Sequence, residues 1–151
     1  VLVDYAHTDD ALRNVLVAAR EITAGRLIAV FGAGGDRDRG KRPRMGRVAA
    51  KWADRVIVTS DNPRSEDPAA IAQEIVAGMK ESSTPCETIL DRREAIQRAL
   101  ESVDRNWLVL IAGKGHETGQ VFQDKVVPFD DRAAVREWLG ERAECHPAIL
   151  K

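Results

Sequence analysis

Cysteine is scarce in this chain of 151 residues. The two present, Cys86 and Cys145, form neither a CxxC pair nor any metal-ligand spacing, so neither a disulfide framework nor a thiolate-bound metal is expected. A reducing, cytoplasmic setting fits that usage best. Histidine is equally thin: His7, His116 and His146 are scattered, and no spacing among them suits a metal. An excess of one charge is missing too. Lys and Arg total 23 against 24 Asp and Glu, net −1, which argues against a general nucleic-acid or membrane-surface binder. No apolar run approaches the ~20 residues that a membrane span needs, and no signal peptide is visible.

What is present reads as one soluble α/β domain. The hydrophobic fraction is 44% and the charged fraction 31%. A domain of this length buries roughly 68–70% of the surface its unfolded chain exposes. The chain opens Val-Leu-Val-Asp, without Met and already inside a strand-like run, so a domain cut from a longer polypeptide is expected.

Apolar β-branched runs alternate with helix-period segments, the pattern of a parallel sheet. Strands are expected at residues 1–3, 27–31, 55–60, 87–90 and 107–112, with a small hairpin from residues 120–122 and 125–127. The last sheet strand is nearly all apolar, as a central parallel strand should be. Thr8, Asp67 and Asp91 stand where helix caps belong, and Asp91 with Glu94 has capping-box spacing. Gly25 is expected to end the first helix, and Pro43 to open the second. A final helix is expected over residues 131–139. The domain is drawn at residues 1–140, and residues 141–151 are read as a poorly ordered tail that includes His146. The expected fold is Rossmann-like: a mostly parallel sheet of five to six strands, helices on both faces, and a small C-terminal hairpin.

Four unusual segments each follow the carboxyl end of an expected strand: residues 4–7, 32–42, 61–64 and 113–117. In open parallel sheets that edge is where ligands bind. Residues 32–42 nearly match two nucleotide motifs. Gly32-x-Gly34 reaches Arg37 where a dinucleotide fingerprint needs glycine. Gly35-x-x-x-x-Gly40-Lys41 has P-loop spacing, but Arg42 replaces the hydroxyl that would hold Mg²⁺. Residues 35–47 carry six basic groups against two acidic ones, net +4, which favours an anion site at a helix N-terminus. Asp61-Asn62-Pro63-Arg64 is either a helix-capping turn or a recognition loop. As the latter, Arg64 forks onto a carboxylate and Asp61 or Asn62 accepts bonds from an ammonium, matching the two ends of an amino acid. Gly113-Lys114-Gly115-His116-Glu117 combines glycines that admit a ligand to the backbone with three side chains able to carry charge or a proton. Asp4 and His7 share that ambiguity with less context.

These four segments, in this order and spacing, resemble the carboxy-terminal domain of the Mur ligases, and within them the branch that adds meso-diaminopimelate. The resemblance runs from residue 1 to about 139. It implies three domains: one for a UDP-sugar, a central one holding the P-loop, ATP and Mg²⁺, and this Rossmann-like third. The implied reaction is ATP-dependent amide formation in peptidoglycan synthesis, through an acyl phosphate on the D-glutamate of UDP-N-acetylmuramoyl-dipeptide. Carried over residue by residue, it makes Arg37, Asp61, Asn62, Pro63, Arg64, Gly113 and Glu117 the diaminopimelate contacts. It places Asp4, Tyr5, His7, Lys114 and His116 near the nucleotide, and no metal ligand in this domain. Two positions depart from the family pattern: Asp9, where proline is common, and Arg44, where an apolar residue is usual. The competing readings are a free-standing Rossmann-type nucleotide module, which would want an intact phosphate loop, and a related ligase adding lysine or glutamate, which would lack Arg64.

Overall fold

The structure is a computed structural model and describes residues 1–145. The chain begins with β1 (Leu2–Asp4) and α1 (Asp9–Ile22), followed by β2 (Arg26–Phe31) and α2 (Lys41–Trp52). Next come β3 (Arg55–Val58), α3 (Pro68–Ala77), β4 (Cys86–Thr88) and α4 (Arg92–Glu101). The last elements are β5 (Trp107–Ala112), the ribbon β6 (Gly119–Val121) and β7 (Val126–Pro128), and α5 (Asp131–Cys145).

Five strands form one sheet in the order β1-β5-β2-β3-β4, and every pair is parallel. The ribbon is separate and antiparallel. Right-handed crossovers decide where the helices go. From β1 through β2 and β3 to β4 the chain steps one way across the sheet, which sets α1, α2 and α3 on one face. The return from β4 to β5 reverses direction and puts α4 on the other. Two core clusters record this. Leu27, Ala29 and Phe31 of β2 pack with Leu12, Leu16, Met45 and Ile75, whereas Ile28 and Val30 pack with Ile96, Ala99 and Val135. The period-two alternation along β2 therefore feeds both layers.

The capping residues act as the sequence suggests. Thr8 accepts from the Ala11 backbone N–H, Asp67 from Ala69 and Asp91 from Glu94. Element ends differ by a residue or two. β4 is paired only over Cys86–Thr88 because its neighbour β3 ends at Val58. Pro43 is the third residue of α2, not the first, a place where its missing N–H still costs no intrahelical bond. Helix α1 ends at Ile22, before Gly25. Gly25 instead lies against Asn106, whose carbonyl oxygen would sit 1.8 Å from an added Cβ. The last helix passes through Gly140 and continues to Cys145, beyond the expected end at residue 139. One glycine costs about 1 kcal/mol, and the Glu-Arg-Ala-Glu that follows consists of strong helix formers. The remainder of the expected tail, residues 146–151 with His146, lies outside the described residues. Among the described residues no helix is long and apolar enough to cross a membrane.

Candidate functional site

A cavity of about 400 Å³ opens at the carboxyl edge of the sheet, above β1, β5, β2 and β3. The strand order reverses here, which is where open α/β sheets leave a crevice. Each of the four sequence segments contributes to its lining: Tyr5 and His7; Gly34, Arg37 and Lys41; Asp61, Asn62 and Arg64; Gly113 and Glu117.

The glycines of the second segment serve loop packing. An added Cβ on Gly32 would fall 2.1 Å from the Thr59 carbonyl oxygen, and one on Gly35 would fall 1.9 Å from that of Pro63. The Gly35 N–H donates to the Asn62 carbonyl (2.9 Å), and Arg64 returns a bond from Nη1 to the Gly35 carbonyl (2.8 Å). Two loops are thus stitched by one backbone bond and one from a side chain. Arg64 itself has φ of 52°, a left-handed conformation that costs a non-glycine residue energy and so marks a position held by its surroundings. Its N–H donates to Val121 of the ribbon (3.0 Å), which fixes it there.

The anion-site expectation needs correction. Of the six basic groups in residues 35–47, three are taken by acids. Arg42 is buried and grips both oxygens of Glu66 (2.7 and 2.8 Å) and one of Glu74 (2.9 Å). Arg39 pairs with Glu74, and Arg44 with Asp9 (2.8 Å) and Asp38 (3.2 Å). Glu66 and Glu74 lie 24 and 32 residues from Arg42, so a local charge count misses them. Of the other three, Arg37 and Lys41 line the cavity, as does the paired Arg44, while Arg47 does not. Lys41 donates to the His7 carbonyl (3.0 Å), and burial lowers its pKa against the attraction of Asp61 and Asp38.

Asp61 is 6% exposed and lines the cavity. It makes no hydrogen bond or ion pair within the described residues. Beside it Gly113 has φ of 116°, and a Cβ there would lie 2.5 Å from Asp61 Oδ2. Asn62 is held by three bonds. Its Oδ1 accepts from Lys114 Nζ (3.0 Å) and the Val121 N–H (2.9 Å), while its Nδ2 donates to Glu117 Oε2 (2.9 Å). Burial raises the Glu117 pKa, but the bonds from Lys114 and Asn62 outweigh it, and the carboxyl ends below its ordinary value.

The five residues expected near a nucleotide separate. Tyr5 and His7 line the cavity, with Tyr5 stacked edge-on against His7 (4.7 Å) and tilted against His116 (5.2 Å) on its other side. Asp4 shapes the turn, accepting from the Ala6 N–H (2.8 Å) through its side chain and from Gly113 (3.1 Å) through its carbonyl. Lys114 is fully buried and donates to Asn62 and Glu117. Pro63 is buried as well and does not line the cavity. Sequence reasoning missed Arg92 and Asp131, a fully buried pair beneath the site (Nε–Oδ1 2.8 Å). A cation at the first position of a helix, set against the helix dipole, was the available signal.

Glu66 gives the fold a pH dependence. The Arg42 guanidinium and the Asp36 N–H hold its carboxyl at about 2, below its ordinary 4.5. The stabilisation this represents is present above pH ~4.5 and is lost as pH falls toward 2. It amounts to about 1–2 kcal/mol once discounted for partial exposure. Unfolding free energy should therefore drop across that window, and Glu66→Gln should flatten the drop. An unchanged slope in the variant would count against the assignment.

Fold and cavity define a class: a doubly wound α/β domain whose ligand edge offers cations and carboxylates side by side. The comparisons narrow it. The profile of the Mur ligase, glutamate ligase domain matches residues 1–115, and the chain belongs to that family. It is 55% identical over 141 residues to the UDP-N-acetylmuramoyl-L-alanyl-D-glutamate–2,6-diaminopimelate ligase of Caldanaerobacter subterraneus subsp. tengcongensis, covering 93% of this chain and 29% of that protein. The enzyme of the same name from Coxiella burnetii is 56% identical over 131 residues, 87% of this chain and 27% of its own length. A solved structure of such a ligase superposes with a TM-score of 0.88 at 46% identity, over 93% of this chain and 29% of that one. The chain thus spans a little under a third of the relatives it matches.

Proposed function

We propose that this chain is the amino-acid-binding domain of a ligase that adds meso-diaminopimelate to UDP-N-acetylmuramoyl-L-alanyl-D-glutamate. The observation that carries the reading is Asp61: a buried carboxylate without a partner among the described residues, in a cavity that also presents Arg64, Arg37 and Glu117. One carbon of diaminopimelate bears both a carboxylate and an ammonium. Arg64 and Arg37 suit the former, Asp61 and Glu117 the latter. The relatives that carry the 2,6-diaminopimelate name support the choice of ligand.

In the reaction ATP would phosphorylate the D-glutamate carboxylate of the UDP-linked substrate. The unprotonated amine at the other end of diaminopimelate then attacks that carbonyl, phosphate leaves, and an amide remains. This domain's share is to hold the amine donor in line, a task of positioning more than of covalent catalysis. On this reading Mg²⁺ and the ATP phosphates fall to the remainder of the ligase, where the family resemblance puts them. The exposed Tyr5, His7 and His116 rings would meet the nucleotide as the domain closes.

The test is an NMR titration of this chain with meso-diaminopimelate and, separately, L-lysine, which lacks the distal carboxylate. Shifts at Arg37, Asp61–Arg64 and Gly113–Glu117 with diaminopimelate alone are expected. Equal shifts with lysine would overturn the reading.

A further inference from the structure

Lys114 poses a question that its motif does not answer. A lysine is almost never fully buried without partners. Here the ammonium is wholly enclosed, and its two side-chain partners are Asn62 Oδ1 (3.0 Å) and Glu117 Oε2 (2.9 Å). Both belong to the proposed amino-acid site. Asn62 Nδ2 closes the triangle by donating to the same Glu117 oxygen (2.9 Å). Two donors therefore converge on Glu117 Oε2, while Oε1 has none among the described residues.

We propose that Lys114 is a positioning residue for this site, clamping one oxygen of Glu117 so that the other is aimed at the ligand's ammonium. The inference rests on the assignment of the cavity to diaminopimelate. Three consequences follow from the geometry. Glu117 keeps one rotamer rather than sampling several, so ligand binding need not order it. The Asn62 amide has a fixed sense, since only its oxygen can face an ammonium and the Val121 N–H. Glu117 also stays ionised in a half-buried setting, because the buried cation offsets the cost of desolvation. An opposing effect exists. The ligand's ammonium also feels the Lys114 charge, and if that repulsion dominated, removing the lysine would tighten binding. The converging hydrogen bonds favour the positioning effect, since without them Glu117 is both mobile and easier to protonate.

The experiment uses the complete ligase carrying Lys114→Met. It measures KM for meso-diaminopimelate and for ATP, and compares meso-diaminopimelate with 2-aminopimelate, the analogue with the distal ammonium removed. Loss of one positioned charged hydrogen bond predicts a rise of about ten- to a hundred-fold in KM for diaminopimelate, with KM for ATP within about two-fold. The preference for diaminopimelate over 2-aminopimelate should shrink by a similar factor, which a merely structural lysine would not produce. In a Glu117→Gln background the same substitution should add little. Should the methionine variant not fold, Lys114→Gln, which keeps an N–H donor but not the charge, should shift KM for diaminopimelate and the preference over 2-aminopimelate in the same direction by a smaller factor. A preference that survives intact, or tighter binding of diaminopimelate, overturns the proposal. Arg64→Ala run in parallel separates the two levels: if it leaves KM for diaminopimelate unchanged, the site assignment itself fails. If it raises KM while Lys114→Met does not, only the positioning role fails.

Discussion

Asp131→Ala should destabilise this chain by about 3–5 kcal/mol in denaturant unfolding, the range measured when one member of a buried ion pair is deleted. Arg92 and Asp131 are both fully buried, joined by two bonds of 2.8 Å (Nε–Oδ1 and Nη2–Oδ2). Burial alone would lower the Arg92 pKa, but Asp131 outweighs it, and the guanidinium ends above its ordinary value. Truncating Asp131 leaves that charge enclosed with no hydrogen-bonded carboxylate, only the more distant attraction of Asp61 and Glu117. Against a total stability of ~5–15 kcal/mol, the loss is a large share. The double variant Arg92→Met/Asp131→Leu should recover most of it, because no charge is then buried. Recovery stays incomplete, since Arg92 also donates to the carbonyls of Ser60 (3.3 Å) and Ala112 (3.0 Å), which end up without that donor. A loss below about 1 kcal/mol for Asp131→Ala would show that water reaches the pair. Those two carbonyls stand just before the Asp61 and Gly113 loops, so the pair also sets the spacing between two walls of the cavity.

Arg64→Ala should have the largest effect on function. In the complete ligase the expected outcome is a rise in KM for meso-diaminopimelate of roughly ten- to a hundred-fold, with KM for ATP within about three-fold. The guanidinium is built to fork onto a planar carboxylate, and it is already held by the Gly35 carbonyl (2.8 Å). Arg64→Lys keeps the charge but not the fork, so it should recover only part of the affinity. Equal rises in both KM values would mean that the substitution disturbs the loop and not the recognition of substrate. L-Lysine, with no carboxylate to meet Arg64, should gain relative to diaminopimelate in the alanine variant, because the unpaired arginine that penalises it is gone.

Much of this was legible in the chain. The five sheet strands, the three caps and the gathering of four segments at one sheet edge follow from periodicity and from where ligands sit in parallel sheets. What stayed hidden was long-range charge pairing. Arg42 reads as part of a basic run until Glu66 and Glu74 arrive from α3 and the turn before it. Lys114 reads as a polar loop side chain near the nucleotide, and its partner Asn62, 52 residues away, is not visible in the local sequence. The two departures from the family pattern, Asp9 and Arg44, turn out to bond to each other (2.8 Å), which no inspection of either alone could show. Strand ends shifted because a strand stops where its neighbour stops, a property of the sheet and not of either segment.

The position of β1 has a consequence for how the cavity comes into being. Within the described residues β1 pairs with β5 alone, Leu2 opposite Leu110 and Asp4 opposite Ala112. Within this chain β1 therefore waits for more than a hundred further residues before it has a neighbour. Sequence separation of that kind slows folding, since the chain must be confined before the contact returns anything. Tyr5 and His7 on one side and Gly113 and Glu117 on the other meet only through that pairing. The three units β2, β3 and β4 can be in register while the crevice is still open on one side, so the cavity gains its remaining walls only once β5 has been made.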